Sequence, residues 1–136
     1  MTAQRPARRT AYGQVVTVAR TGEALAVLAA DPDTLAFVVR GHPRAVVMAC
    51  PCGCPDPVVV PVDGAVSGAW RVRYKSERLT LMPSVWRKSG CGSHFILWKN
   101  EVHWCSPNER EDAAAWPELL RSTVRGWWRR NRRRRR

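Results

Sequence analysis

The chain has 136 residues and a formal net charge of +12, a length suited to one domain with one modest core. The charge is uneven: residues 121–136 hold nine arginines and no acid, residues 1–20 hold four arginines and no acid, and residues 21–120 balance ten basic against eleven acidic side chains. No window approaches the roughly 18 apolar residues of a membrane span, and the N-terminus lacks a signal-type apolar run. A cytoplasmic location is the expectation, where thiols stay reduced, and the odd count of five cysteines argues against a disulfide framework.

Residues 1–11 read as a basic, flexible arm. "YGQVVTVAR" is expected as a first strand, and "GEALAVLAADP" as a short helix over 23–30 stopped by Pro32. β signals then dominate. "TLAFVVR" (34–40) and "RAVVMAC" (44–50) flank the hairpin-length connection "GHP", and "PVVVPV" (57–62) is a further run. "AWRVRY" (69–74) and "RLTLMP" (78–83) alternate apolar and polar residues with the period of half-buried strands.

"HFILW" (94–98) and "EVHW" (101–104) are joined by Lys99-Asn100, a two-residue turn. That turn makes facing positions sum to 199, pairing Trp98 with Glu101, Leu97 with Val102, Phe95 with Trp104 and His94 with Cys105. Phe95, Leu97, Val102 and Trp104 then share a core face. His94, Ile96, Trp98, Glu101, His103 and Cys105 share the other.

Ser106-Pro107-Asn108-Glu109 fits a capping box opening a C-terminal helix over 107–128, with a break near Pro117. The terminal arginine block, 129–136, is expected to be disordered alone. The expected architecture is therefore mostly β: a small antiparallel domain of six or seven strands over 12–106, with a zinc knuckle and a C-terminal helix.

"MACPCGCPDP" places Cys50, Cys52 and Cys54 at alternate positions. Cysteines at i and i+2 of a flat strand stand roughly 6.6 Å apart. Tetrahedral zinc, with Zn–S near 2.3 Å, needs its sulfurs about 3.8 Å apart. Pro51, Gly53 and Pro55 permit the chain to curl, so the stretch reads as a metal knuckle following a strand. The other half of a zinc site is "CGSH", Cys91 to His94. Cys52, Cys54 and Cys91 are the firm ligands, and the fourth is Cys50 or His94. Cys105 alone reads as an ordinary small buried residue.

Together these motifs, "LAFVV…AVVMACPCGC", "W.V…LTLMPSV" and "CGSHFILWKNEVHW", resemble a small bacterial domain family of unknown function found beside ubiquitin-like conjugation genes. The likeness covers about residues 34–104. It departs at Pro55, where glycine is usual, and at Met48, where histidine is frequent. The resemblance implies a serine-type peptidase that processes or removes a bacterial ubiquitin-like modifier.

A serine nucleophile needs a base within hydrogen-bond reach and a group that orients the base. The candidate serines are Ser84 and Ser93. Ser93 adjoins His94 and points to the opposite face if both lie in a strand, which favours Ser84. His94 is the first candidate base and His103 the second, with Glu101 or Asp56 as candidate orienting groups; His42 lies in a turn. The two roles of His94 exclude each other, because a histidine bound to zinc is not free to act as base. A closed site of Cys50, Cys52, Cys54 and Cys91 releases it. A zinc hydrolase with an open position is a third arrangement, disfavoured by a thiolate-rich set.

The rival reading is a non-catalytic zinc-stabilised binding module. In it Arg129, Arg130, Arg132, Arg133, Arg134, Arg135 and Arg136, beside Trp127 and Trp128, engage nucleic acid or another polyanion such as an anionic membrane surface.

Overall fold

The computed structural model describes residues 8–88 and 90–105. The chain divides into two units, Met1–Trp104 and Cys105–Arg136, and the fold described here belongs to the first. The expected helix over 107–128, its break near Pro117 and the arginine block 129–136 lie outside the described residues, as do residues 1–7.

The first sheet begins as a β-α-β unit. β1 (Gln14–Val18) is followed by α1 (Thr21–Ala30) and then β2 (Thr34–Arg40), and β1 and β2 pair in parallel, Gln14 opposite Thr34. A parallel pair needs a crossover, and the helix supplies it. β3 (His42–Ala49) and β4 (Pro57–Pro61) extend the sheet antiparallel, in the order β1-β2-β3-β4. The expected "GHP" connection is tighter than its length suggests. Gly41 alone turns the chain, at φ +77°, and a register shift between Val38 and Val39 absorbs Pro43 into the ladder. β4 is one of the two edge strands, with proline at both ends, which limits pairing beyond it.

β2 and β3 are buried on both faces, so they read as unbroken apolar runs. Leu35, Phe37, Val46 and Met48 enter the larger core. Ala36, Val38, Ala45 and Val47 face Ala24 and Leu28 of α1 in a smaller one. The two alanines leave room for the helix backbone to approach.

β5 (Arg71–Lys75) and β6 (Arg78–Met82) form a two-stranded ribbon, and β7 (Val85–Trp86), β8 (His94–Trp98) and β9 (Glu101–Trp104) form a three-stranded sheet in that order. The β8–β9 register is the one the two-residue turn requires: Trp98 opposite Glu101, Leu97 opposite Val102, Phe95 opposite Trp104. Lys99 and Asn100 both have positive φ, 47° and 66°, the geometry of a type I′ turn. Asn100 ties this tip to β6: its Oδ1 accepts the Leu79 N–H at 2.8 Å, and its own N–H donates to Leu79 O at 3.0 Å.

Leu79, Leu81, Val85, Phe95, Leu97 and Val102 join the larger core from these strands. The described residues hold nine strands rather than six or seven, and the fold is mostly antiparallel with one parallel pair. Two further differences concern burial and the N-terminus. Ile96 and His94, assigned to the polar face of β8, are 1% and 3% exposed, so β8 is covered on both sides. Residues 9–11, placed in a flexible arm, are bonded into the domain. Arg9 N–H donates to Pro51 O at 2.7 Å, Trp104 Nε1 to Arg9 O at 3.0 Å and Val102 N–H to Thr10 O at 2.8 Å, while Ala11 bridges Glu101.

Candidate active site and metal centre

β3 delivers the knuckle. The strand ends at Ala49, whose carbonyl accepts the Tyr12 hydroxyl at 2.5 Å. The chain then curls: Gly53 N–H donates to Cys50 O at 3.0 Å, with Gly53 at φ +90°. A side chain at that φ would be strained, so the glycine between Cys52 and Cys54 is what lets the sulfurs converge.

Opposite the knuckle stands the hairpin from β7 to β8. Arg87 N–H donates to Ser93 O at 2.8 Å, and the Arg87 carbonyl accepts the N–H groups of Gly90 and Gly92. Cys91 lies in this tight connection. Its Sγ is 3.5 Å from that of Cys50, which is itself 3.4 Å from that of Cys52. With Cys54, the four sulfurs lie within 4.8 Å of one another. Such a set can hold a metal ion, since tetrahedral thiolate coordination places sulfurs about 3.8 Å apart.

His94, the alternative fourth ligand, is not in this cluster. It stands in β8, and its Nε2 lies 2.8 Å from Ser84 Oγ. The physical reason is the alternation of strand side chains. Ser93 turns its hydroxyl towards the sulfurs, 3.0 Å from Cys91 Sγ and 3.8 Å from Cys50 Sγ, while its neighbour His94 turns the other way.

The thiols differ in character. Burial pushes Cys50 up to about 12 from the usual 9. Burial also raises Cys91, but the Ser93 hydroxyl and backbone N–H, with help from Cys50 and Cys52, outweigh it and pull this thiol down to about 6. Cys52 is lowered too: the Cys54 N–H, 3.4 Å from its sulfur, and other hydrogen bonds overcome its desolvation. A cluster with ionised and protonated members side by side is poised for a cation, whose charge favours the thiolate form throughout.

Ser84 sits between β6 and β7, where its carbonyl accepts Trp70 Nε1–H at 3.1 Å. Ser84 is 2% exposed, and Trp86 stacks on the His94 ring. The structure thus joins Ser84 with His94, and Cys50 with Cys52, Cys54 and Cys91. Of the remaining candidates it brings only Glu101 and His103 together. The Glu101 carboxylate lies 3.3 Å from His103 Nε2, His42 is 3.2 Å from Asp63, and Asp56 is exposed. Ser93, a candidate nucleophile in the sequence, stands instead beside the sulfurs, and two residues at the site escape sequence reasoning: Arg87 beside the sulfurs and Trp86 over the imidazole. Only Trp86 left a signal, as part of the unusual tryptophan content of residues 70–116.

Among the described residues no helix is long and apolar enough to cross a membrane. Residues 22–105 match the family model described as "Bacterial ubiquitination-like system serine protease (BubE)". No curated protein and no solved structure matches the chain.

Proposed function

The chain belongs to this family of serine proteases of bacterial ubiquitination-like systems, and from that membership we propose that it is a peptidase acting on a bacterial ubiquitin-like modifier or its conjugates. Ser84 is the nucleophile and His94 the general base. The observation that carries the assignment is the 2.8 Å approach of Ser84 Oγ to His94 Nε2 in a buried setting. It is the contact a hydroxyl needs to give up its proton as it attacks.

In the acylation step Oγ bonds to the carbonyl carbon of the modifier's scissile bond while its proton passes to Nε2. The leaving amine takes that proton from the imidazolium as the C–N bond breaks, and water later releases the acyl group by the same exchange. Ser84 and His94 are both buried, so side chains over the pair move when a substrate carbonyl reaches Oγ.

Cys50, Cys52, Cys54 and Cys91 hold zinc in this reading. Four thiolates suit that ion, and a site closed by four protein ligands contributes folding energy rather than an activated water. Thiols kept as metal ligands fit a reducing, cytoplasmic setting. Small domains of many short strands commonly depend on such a staple.

The test is cleavage of a bacterial ubiquitin-like modifier carrying a C-terminal reporter peptide, followed by intact mass. Wild-type protein should release the reporter, and Ser84→Ala should release none while keeping the wild-type circular dichroism spectrum. Cleavage by the alanine variant at the wild-type rate would remove Ser84 from the chemistry.

A further inference from the structure

Trp86 stands directly across the ladder from His94, next to the pair Val85 and Phe95. The Arg87 N–H bond to Ser93 O shows that Arg87 and Val85 turn their backbone polar groups towards β8. The pair between them, Trp86 and His94, is therefore the close, non-hydrogen-bonded kind, whose side chains meet on one face of the sheet. Their rings lie 4.9 Å apart between centroids and 14° from parallel. Lys88 Nζ lies 4.3 Å from the centroid of the same indole, a cation–π contact that holds it from a second direction.

A near-parallel stack constrains the plane of the imidazole, because rotating that ring drives its edge into the indole. The plane matters here, since Nε2 must point at Ser84 Oγ. In serine catalysis the base needs a group that orients it. Trp86 itself is 41% exposed, so its burial alone does not account for a tryptophan at this position.

We infer that Trp86 is a positioning residue for the base: its indole face holds the His94 imidazole at the angle where Nε2 meets Ser84 Oγ, and it faces the imidazolium formed on proton transfer. The inference rests on the Ser84–His94 assignment proposed above. An aromatic face stabilises an adjacent cation, so the stack is stronger once the ring is protonated than before. That difference favours the transition state over the ground state.

The test uses a fluorophosphonate, which reports on the dyad without requiring the natural substrate. Ser84 Oγ attacks phosphorus, the P–O bond forms, the P–F bond breaks with loss of fluoride, and His94 takes the hydroxyl proton. The maximal inactivation rate and the half-saturating concentration are measured separately by intact mass, with the modified residue mapped. The full-length proteins compared are wild type, Ser84→Ala, Trp86→Phe, Trp86→Leu and Trp86→Ala.

General-base contributions of about 10²–10⁴-fold set the scale. Trp86→Leu and Trp86→Ala should lose about 10–100-fold in maximal rate with half-saturation unchanged within about twofold, while Trp86→Phe stays within about threefold of wild type. Should the alanine variant not fold, the comparison of leucine with phenylalanine carries the test, because both fill the space and only one offers a ring face. A leucine variant as fast as the phenylalanine variant, or a loss confined to half-saturation, would overturn the inference while leaving the dyad standing. Wild-type protein unlabelled at Ser84 would overturn the dyad, and the inference with it.

Discussion

Arg87 Nη1 lies 3.5 Å from the sulfur of Cys54, 33 positions earlier in the chain, and 3.9 Å from that of Cys91. Four thiolates around a divalent ion leave two negative charges in excess, and this guanidinium is placed to offset part of them. Outer groups of this kind tune metal affinity by about 10–100-fold. Arg87→Gln should weaken zinc binding within that range in a chelator competition, while the Arg87 backbone bond to Ser93 keeps the hairpin in register. Unchanged affinity would show that the contact does not stabilise the bound ion.

In metal-free protein the four cysteines should not react alike. Cys91 is exposed and pulled down to about 6, whereas Cys50 is buried and pushed up to about 12. Iodoacetamide attacks thiolate, so Cys91 should be alkylated first. The sign of the pH dependence follows from the lowered value. The rate at Cys91 should rise as pH passes through about 6 and level off by neutral pH, rather than climb towards 9 as an unperturbed thiol does. Zinc should protect all four. Peptide mapping at stepped pH reads both effects, and equal labelling of Cys50 and Cys91 at pH 7 would contradict the arrangement.

Much of this fold is visible in the residue pattern, and the site only in part. The β8–β9 register follows from a two-residue turn, because Lys99-Asn100 leaves a single way to pair Phe95 with Trp104. The knuckle follows from the geometry of alternate cysteines broken by Pro51 and Gly53. The parallel partner of β1 is hidden: α1 is legible as a helix, but nothing in its residues names the strand it leads back to. β7 is hidden because two residues carry no period. Cys-x-x-His admits either Cys50 or His94 as the fourth ligand, and the choice depends on a strand beginning at His94 so that Ser93 and His94 face opposite ways. Arg87 and Trp86 touch residues 33 and eight positions away, contacts that no local spacing encodes.

Tyr12 anchors the point where β3 gives way to the knuckle. It is 4% exposed, and its hydroxyl donates to Ala49 O, the last carbonyl of that strand. Burial raises its ionisation well above the ordinary tyrosine range, so the group remains a donor across the pH range in which the protein is handled. Tyr12→Phe leaves that carbonyl without its hydroxyl partner and should cost about 1–3 kcal/mol in chemical denaturation. Cooperativity and metal content should be unchanged, because no sulfur ligand is touched. A variant as stable as wild type would mean that water replaces the hydroxyl at no cost.

The four-cysteine cluster and the imidazole held against Ser84 predict different consequences for His94→Ala and Cys91→Ala. His94 is outside the sulfur cluster and engaged with Ser84, so its alanine variant and the wild type should both bind one zinc per chain by native mass spectrometry. Cys91→Ala removes the ligand carried by the hairpin and should lose the ion or hold it far more weakly. Cys91 lies between Arg87 and Ser93, whose backbone bond closes the hairpin that sets Trp86 and His94 opposite each other. Loss of the ion should therefore also slow fluorophosphonate labelling at Ser84, even though neither Ser84 nor His94 belongs to the sulfur cluster. Chelation of wild-type protein should do the same, and added zinc should restore labelling in wild type but not in Cys91→Ala. Zinc lost with His94 would make that histidine a ligand and return the fourth position to the alternative that the spacing of Cys91 and His94 left open.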